Sequence, residues 1–332
     1  MKILLSVFVM LVLLLSNLYY PIFAESHLDV EKKPEIVYNQ TGKYYKIYHK
    51  TPSENITLVL PESMLIFNLI PVITGNGTVV SFDMSLKPEL KDLYNQIGFS
   101  AKSDNVVFVY PVFTQAAYGK NGFYDYYNKK CGQSCLTVPI PSNFSGTYSS
   151  SIVSSYVLNM LNYSFITDVD IDKNPKILQK YDTVIILHNE YVTRSEFNAI
   201  TNHPHVIYLY PNALFAEVSS NYTDDTITLV KGHGYPNETI QNGFNWKNDN
   251  TKFEYDLKCT NWNFTSIDNG KMLNCYPDYA ILYDENILKD LKEQTLQTIP
   301  EFGNAIFIII AGMIAALLLN KFNISSHNII KF

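Results

Sequence analysis

The residues of this chain that could perform chemistry follow short apolar segments. His188 and Glu190 come directly after the apolar run 183–187. An imidazole and a carboxylate two residues apart can serve as general acid and base, or as metal ligands. The alternative is structural: Glu190 and Thr193 cap the helix predicted to follow, and His188 is a packed or solvent-facing turn residue. Both interpretations stay open at this point.

Two further groups of polar residues follow apolar runs. Tyr110, Tyr118 and Tyr124 lie at or after the run 106–110, and Asp170 lies among three aspartates at or after the run 165–169. A fourth candidate, His233, stands between two glycines, where it could either reach such a site or belong to a flexible loop.

The segments that would position these residues alternate between strand and helix patterns. Strands are predicted at 106–110, 165–169, 183–187 and 206–210, and helices at 151–161, 175–180 and 194–201. Continuous apolar strands separated by helices predict an α/β fold with a parallel sheet covered on both faces. In such sheets ligands bind beyond the carboxyl ends of the strands, where the strand order reverses. The candidate residues are therefore expected at one edge of the sheet.

Two motifs in this region are similar to those of a known family. They are Gln-Ala-Ala-Tyr at 115–118, followed by Gly-Phe-Tyr at 122–124, and His-Asn-Glu-Tyr at 188–191. With the helix predicted after them, they make residues 105–215 resemble the glutamine-amidotransferase-like domain of the N,N-dimethylformamidase large subunit. The tryptophan of the family's second motif is replaced here by Val192.

The resemblance implies a Rossmann-like, flavodoxin-like layer that lacks the cysteine nucleophile of true glutamine amidotransferases. It also implies an iron site, since the amidase resembles an iron enzyme with tyrosine and glutamate ligands, and such oxygen donors suit hard ferric iron. Glu190 and Tyr118 then correspond to the first two ligands, with Tyr110 or Tyr124 as the third. Many relatives of this fold resemble non-enzymes, so the resemblance alone does not imply catalysis.

The amino end has the pattern of a secretory signal peptide over residues 1–24. Lys2 precedes an apolar run at 3–15, and Ala24 supplies the small residue for cleavage. The alternative is an uncleaved amino-terminal anchor. At the other end, residues 304–320 are predicted to form a transmembrane helix rather than a buried core helix, with residues 321–332 as a cytoplasmic tail. The intervening chain is therefore expected outside the cytoplasm.

The tetrapeptide Pro-Glu-Phe-Gly at 300–303 precedes the carboxyl-terminal apolar run. This arrangement resembles the PEFG-type sorting signal of archaeal surface proteins, although the tail lacks a tight cluster of Arg and Lys. The resemblance implies an archaeosortase as a partner, which would cut near the motif and pass the protein to a lipid. The mature protein would then hang from a lipid rather than span the membrane.

Asn-x-Ser/Thr sequons occur nine times, and eight of them lie between the two terminal apolar runs. In an exported protein they predict N-glycosylation, which requires an exposed position. The alternative is that an Asn-rich sequence produces sequons by chance, and Asn323 would lie inside and stay unused. The predicted glycosylation sites are Asn39, Asn55, Asn76, Asn143, Asn162, Asn221, Asn237 and Asn263.

The four cysteines all lie in the predicted outer segment. An even number of cysteines in an oxidising compartment predicts disulfides. Of the three connectivities, the local pairs Cys131–Cys135 and Cys259–Cys275 are the simplest, and the second would staple a hairpin that turns at Asp-Asn-Gly, 268–270. Zinc binding is the less favoured alternative, because the usual Cys-x2-Cys spacing is absent.

Composition narrows the classes of partner. The chain carries a net charge of −6, and it contains neither a basic run nor a glycine-rich phosphate loop. These features exclude nucleic acid as an expected partner. The predicted organisation is a β-rich region at 25–100, the amidotransferase-like α/β domain at 101–217, a β-rich extension at 218–285 and a helical stalk at 286–303, followed by the hydrophobic helix.

The sequence therefore supports two functional hypotheses. The preferred one is a membrane-anchored extracellular glycoprotein whose amidotransferase-like domain is non-catalytic and serves in binding or in cell-envelope structure. The alternative is an extracellular metal-dependent amidase-like hydrolase in which Glu190, His188 and Asp170 act catalytically. Cell-envelope components are the expected partners under the first hypothesis, and iron is expected only under the second.

Overall fold

The structure is a computed structural model that describes residues 35–39, 42–50, 55–75, 79–142, 151–257, 259 and 262–296. The predicted signal peptide, the PEFG motif, the predicted transmembrane helix at 304–320 and the tail lie outside the described residues, as do Asn76 and Asn143. Among the residues that are described, no helix is both long and apolar enough to cross a membrane.

The described residues between 35 and 97 are rich in antiparallel strands. Three strands form one sheet and two more form a hairpin, and a short helix ends at Gly98. These elements are β1 (Glu35–Asn39), β2 (Gly42–Lys50), β3 (Asn55–Pro61), β4 (Phe67–Ile73), β5 (Val79–Leu86) and α1 (Lys91–Ile97).

Strands and helices then alternate over most of the remaining chain. The elements are β6 (Val106–Tyr110), α2 (Val112–Ala117), α3 (Phe123–Tyr127), β7 (Thr137–Pro139), α4 (Ile152–Met160), β8 (Ser164–Thr167), α5 (Asp168–Lys173), β9 (Thr183–Ile186), β10 (Tyr191–Thr193), α6 (Arg194–Thr201), β11 (Val206–Tyr208), β12 (Ala216–Asn221), β13 (Thr226–Lys231), β14 (Phe264–Ile267), β15 (Gly270–Leu273) and α7 (Glu285–Leu296).

A mostly parallel sheet forms the centre of this part of the chain. Its strands lie in the order β8-β6-β9-β11-β15-β14, and every neighbouring pair is parallel except β14 with β15. All residues of β6 and β9 are buried, as expected of strands covered on both faces. The predicted α/β class with a parallel sheet is confirmed at this level.

A second sheet, in the order β10-β12-β13-β7, combines strands of the predicted β-rich extension with short strands of the predicted α/β domain. Its first strand begins at Tyr191, only a few residues after β9 ends at Ile186. The residues between the two strands therefore connect one sheet to the other. Glu190 is the last residue of this connection.

The strand predicted at 165–169 was wrong at its carboxyl end. The strand stops at Thr167, and α5 begins at Asp168. Thr167 accepts a hydrogen bond from the Asp170 backbone N–H, and the Asp170 carboxylate accepts one from the Thr167 N–H, which is a capping box. This reciprocal cap starts a helix where apolar composition alone predicts more strand.

Both local disulfides predicted from the cysteine spacing are present. Cys131–Cys135 and Cys259–Cys275 have S–S distances of 2.07 and 2.05 Å. The second pair brackets the β14–β15 hairpin, which turns at Asp268 and Asn269 as predicted. Gly270 starts β15 with a φ of +157°, and a Cβ there would lie 1.8 Å from the Val206 carbonyl oxygen. Only glycine permits this contact between β15 and β11.

Candidate functional site

Glu190 is the centre of a group of polar side chains. It has no exposed surface. The Tyr118 hydroxyl donates to its Oε2 at 2.7 Å, and the Tyr124 hydroxyl donates to its Oε1 at 3.1 Å. His233 Nε2 lies 2.5 Å from Oε1, and His188 Nε2 lies 3.8 Å from Oε2. These five residues are called the Glu190 cluster below.

The strand order brings the cluster together. β6 lies between β8 and β9, so the chain moves to one side of β6 and then returns to the other side. Tyr118 and Tyr124 follow β6, whereas His188 and Glu190 follow β9. The cluster therefore lies at the carboxyl ends of two adjacent parallel strands, where the order reverses. This is the place where open α/β sheets bind ligands.

Local structure after β6 aims both tyrosines at Glu190. Tyr118 is the carboxyl cap of α2. The chain then folds back at Gly122, where a Cβ would lie 2.3 Å from the Ala117 carbonyl oxygen. This close turn stacks the rings of Tyr118 and Tyr124 with their centroids 4.1 Å apart, and their hydroxyls lie 2.6 Å from each other. A side chain at position 122 would separate the two phenols.

Contacts of Tyr191 hold both α2 and His233 in position beside Glu190. The Tyr191 N–H donates to Thr114 Oγ1 at 3.2 Å, which ties α2 to the residue after Glu190. His233 arrives from the loop after β13, and its ring stacks on Tyr191 with 5.6 Å between centroids and lies 4.6 Å from the Phe215 ring. Aromatic rings thus hold the imidazole against the carboxylate.

Exposure differs between the two sides of the cluster. Glu190 and His188 are buried, whereas Tyr118, Tyr124 and His233 are partly exposed. The cluster therefore has a buried carboxylate floor and a rim that contacts solvent.

The residues of the Glu190 cluster shift one another's pKa values. Burial raises the pKa of Glu190, but the His233 imidazole, its hydrogen bond, His188 and the Tyr118 hydroxyl together outweigh burial and lower it. Burial and then the charge of Glu190 raise the pKa of Tyr118 and of Tyr124 well above that of a free phenol. Glu190 is therefore ionised at neutral pH, and both phenols keep the protons that they donate to it.

The oxygen atoms of the cluster suit a hard metal ion. The O···O distances among Tyr118, Tyr124 and Glu190 are 2.6, 2.7 and 3.1 Å, about the edge length of a coordination polyhedron with ~2 Å bonds. Within the described ranges, no group of three or more His, Cys, Asp or Glu side chains is placed to hold a metal. A metal at this cluster would thus depend on the two phenols, which must release their protons to bind it.

Two of the six site candidates are engaged elsewhere. The Tyr110 hydroxyl donates to Gln115 Oε1 at 2.7 Å, and Asp170 belongs to the cap of α5. The structural alternative assigned both Glu190 and Thr193 to the cap of the following helix. Thr193 does cap α6 by accepting a hydrogen bond from the Glu196 N–H, but Glu190 points into the cluster. The third oxygen, beside those of Tyr118 and Glu190, comes from the phenol of Tyr124 rather than from that of Tyr110.

Sequence reasoning missed Glu254, which lies in the loop before the second disulfide. It is partly exposed. Burial and then the charge of Glu190 raise its pKa to about 7, which His233 partly offsets. Glu254 therefore titrates near neutral pH within the electrostatic range of the cluster. The sequence around it carries no motif that would have identified it.

The predicted glycosylation sites differ in accessibility. Asn221, Asn237 and Asn263 are exposed. Asn162 is only partly exposed, and its Nδ2 donates to the Phe99 carbonyl at 2.9 Å. A glycan on Asn162 Nδ2 would break this bond. Asn39 and Asn55 lie at strand ends in β1 and β3.

Comparison with known proteins adds no assignment to this geometry. No protein-family model matches the chain, and no curated protein matches it.

Proposed function

We propose that the Glu190 cluster is a metal-dependent hydrolytic site and that the protein is an extracellular amidase-like hydrolase. One observation carries the proposal: the Tyr118 and Tyr124 hydroxyls converge on the buried carboxylate of Glu190. These are residue types and positions that the resemblance to the dimethylformamidase large subunit selects. The strand order supports the same proposal, because it is the flavodoxin-like order of a doubly wound sheet with one antiparallel strand added.

Iron is the metal that this donor set fits, and it would be held by Glu190, Tyr118 and Tyr124. A bound metal of this kind polarises a carbonyl group and lowers the pKa of bound water. The chain supplies the rest of the site. Since Glu190 is ionised, His233 holds a proton on Nε2 and directs it at Oε1. The imidazole of His188 lies near the other carboxylate oxygen, with its Nε2 3.8 Å from Oε2.

A small amide is the substrate class that the rim of the cluster supports. It would approach the partly exposed side chains of Tyr118, Tyr124 and His233 and leave the buried carboxylate in place. The aromatic rings of Tyr191 and Phe215 beside His233 exclude water from that side. Glu254 stands within electrostatic range as a carboxyl group able to exchange protons near pH 7.

The test is iron binding by the full chain purified in detergent. We expect about one iron per chain and a visible tyrosinate-to-iron absorption band, together with hydrolysis of small formamides. Tyr118→Phe and Tyr124→Phe should each weaken the band, and the double variant should remove it. Tyr163→Phe is the matched control, since Tyr163 is also buried and its hydroxyl donates to the Ile97 carbonyl at 3.1 Å. Absence of iron after reconstitution and absence of the band would reject the proposal.

A non-catalytic binding or envelope-structure role is the second candidate, and one observation favours it. Both carboxylate oxygens of Glu190 already accept hydrogen bonds from within the cluster, so the network is satisfied without a metal. The same iron assay separates the two candidates. An iron-free protein that retains its fold would leave the binding role as the better proposal.

We also propose that the described chain lies outside the cytoplasm and is held at a membrane, with an archaeosortase as processing partner. Two disulfides support the oxidising compartment. The mass of the carboxyl-terminal peptide from native membranes tests the processing. Recovery of an intact tail through Phe332 would point instead to an ordinary membrane anchor.

A further inference from the structure

A second group of acidic side chains lies apart from the Glu190 cluster, between α5, α6 and the second sheet. It consists of Asp168, Asp172 and Glu196. Asp168 and Glu196 have no exposed surface. Carboxylates are rarely buried to this degree unless a cation or several hydrogen bonds compensate them. In the described part of the chain, no lysine, arginine or histidine forms an ion pair with any of the three.

The oxygen atoms of the two aspartates are already in use. Asp168 accepts from the Phe113 and Val169 backbone N–H groups, both at 2.9 Å. Asp172 accepts from the hydroxyls of Thr193, Ser220 and Tyr222 at 2.5–2.6 Å. By contrast, neither carboxyl oxygen of the buried Glu196 accepts a hydrogen bond of ordinary geometry among the described residues, and only the backbone N–H of Thr193 acts to lower its pKa. Glu196 is thus the least compensated member of this group.

Either a cation or a proton must remove the charge of Glu196. A calcium ion takes six to eight oxygen ligands, and the two aspartates have committed their oxygens to N–H and O–H donors. In agreement with this, no three His, Cys, Asp or Glu side chains among the described residues are placed to bind one metal ion together. A proton needs only one oxygen.

We propose that Glu196 is a buried proton-binding group that carries its proton at neutral pH. Other charges on the same elements point the same way. Asp172 is the anion facing Glu196 from α5, while the cations of α5 and α6 are committed elsewhere: Lys173 lies over the Tyr222 ring, and Arg194 pairs with Glu217. Burial, followed by repulsion from Asp168 and Asp172, raises the pKa of Glu196, and burial raises the pKa of Asp168.

The proton on Glu196 makes stability depend on pH with a definite sign. A folded-state pKa above the unfolded value means that the unfolded chain loses its proton first as pH rises. The contribution is therefore complete below the unfolded pKa of about 4.3 and is lost as pH rises towards the folded pKa. Across this window one retained proton raises the unfolding equilibrium constant by up to about tenfold per pH unit.

Glu196→Gln tests the proposal because glutamine has the shape of the neutral acid and does not titrate. In urea unfolding with the disulfides intact, we expect wild type to lose stability relative to Glu196→Gln between pH 4 and pH 8. Glu217→Gln is the control: Glu217 pairs with Arg194 and Lys231 at the surface, so its loss should not flatten the wild-type pH dependence. Equal pH dependence in wild type and Glu196→Gln overturns the proposal.

A second measurement decides the matter if Glu196→Gln does not fold. The infrared spectrum at pH 7 should contain the C=O band of one protonated carboxylic acid. It is recorded in a Glu254→Gln background, which removes the other carboxyl group that titrates near neutrality. Absence of the band overturns the proposal, as does a rise in stability on adding calcium alone, which would identify a cation as the occupant.

Discussion

Removing the Tyr118 hydroxyl should destabilise the protein more than removing any ordinary buried phenol hydroxyl. Tyr118→Phe deletes the 2.7 Å hydrogen bond to ionised Glu190 and the 2.6 Å bond to Tyr124. A hydrogen bond to a buried charge contributes about 1.5–3 kcal/mol and a neutral one about 1 kcal/mol, so the expected loss is about 2.5–4 kcal/mol. Tyr163→Phe deletes one bond to a neutral carbonyl and should lose about 1 kcal/mol.

Urea unfolding of both variants at pH 7, without added metal and with the disulfides intact, measures the difference. The excess loss in Tyr118→Phe depends on the charge of Glu190. Because the folded pKa of Glu190 is lowered, its stabilisation is complete above the unfolded pKa of about 4.3 and is lost as pH falls through the folded pKa. The difference between the two variants should therefore shrink in strong acid. A Tyr118→Phe loss no larger than that of Tyr163→Phe at pH 7 would refute the ionised cluster.

Three further predictions concern the fold and its modification. Gly270→Ala should destabilise the protein by about 3 kcal/mol in urea unfolding, because its Cβ would lie 1.8 Å from a carbonyl of β11 and φ is +157°; Gly132→Ala, with no atom within 4 Å, should change little. Intact-mass analysis should find a glycan lost in Asn237→Gln but no change in Asn162→Gln, whose Nδ2 is hydrogen-bonded. Opening Cys259–Cys275 with paired serines should cost about 3 kcal/mol, against about 2 kcal/mol for the shorter loop at the other disulfide.

The central strands could be predicted because each is a run of consecutive apolar residues, which is typical of a buried strand. β6 and β9 consist of consecutive apolar residues apart from Thr183, and the helix at 194–201 has a Thr cap before it. The second sheet could not be predicted in the same way. β7 and β10 have three residues each, too few to show a period, and they form only because β12 and β13 pair with them.

Sequence analysis likewise identified only those residues of the candidate site that lie in local motifs. Motif resemblance selected Glu190 and Tyr118 and left the third ligand open between Tyr110 and Tyr124. The hydroxyls of Tyr118 and Tyr124 lie 2.7 and 3.1 Å from the Glu190 carboxylate, but metal binding by these residues stays a prediction. His233 and Glu254 are distant in sequence from Glu190. Their approach depends on how the loops after β13 and before β14 fold back, which no local pattern encodes.

The position of β15 affects how the protein is made. β15 pairs with β11, yet Gly270 is synthesised about 60 residues after Tyr208. At about 5–20 residues per second, the edge of β11 stays unpaired for about 3–12 s on every new chain. The β14–β15 hairpin is local and can close in about 1–10 μs once made. Mispairing between neighbouring nascent chains is therefore confined to the seconds before residue 273 emerges, and crowding of ribosomes on the messenger would increase it.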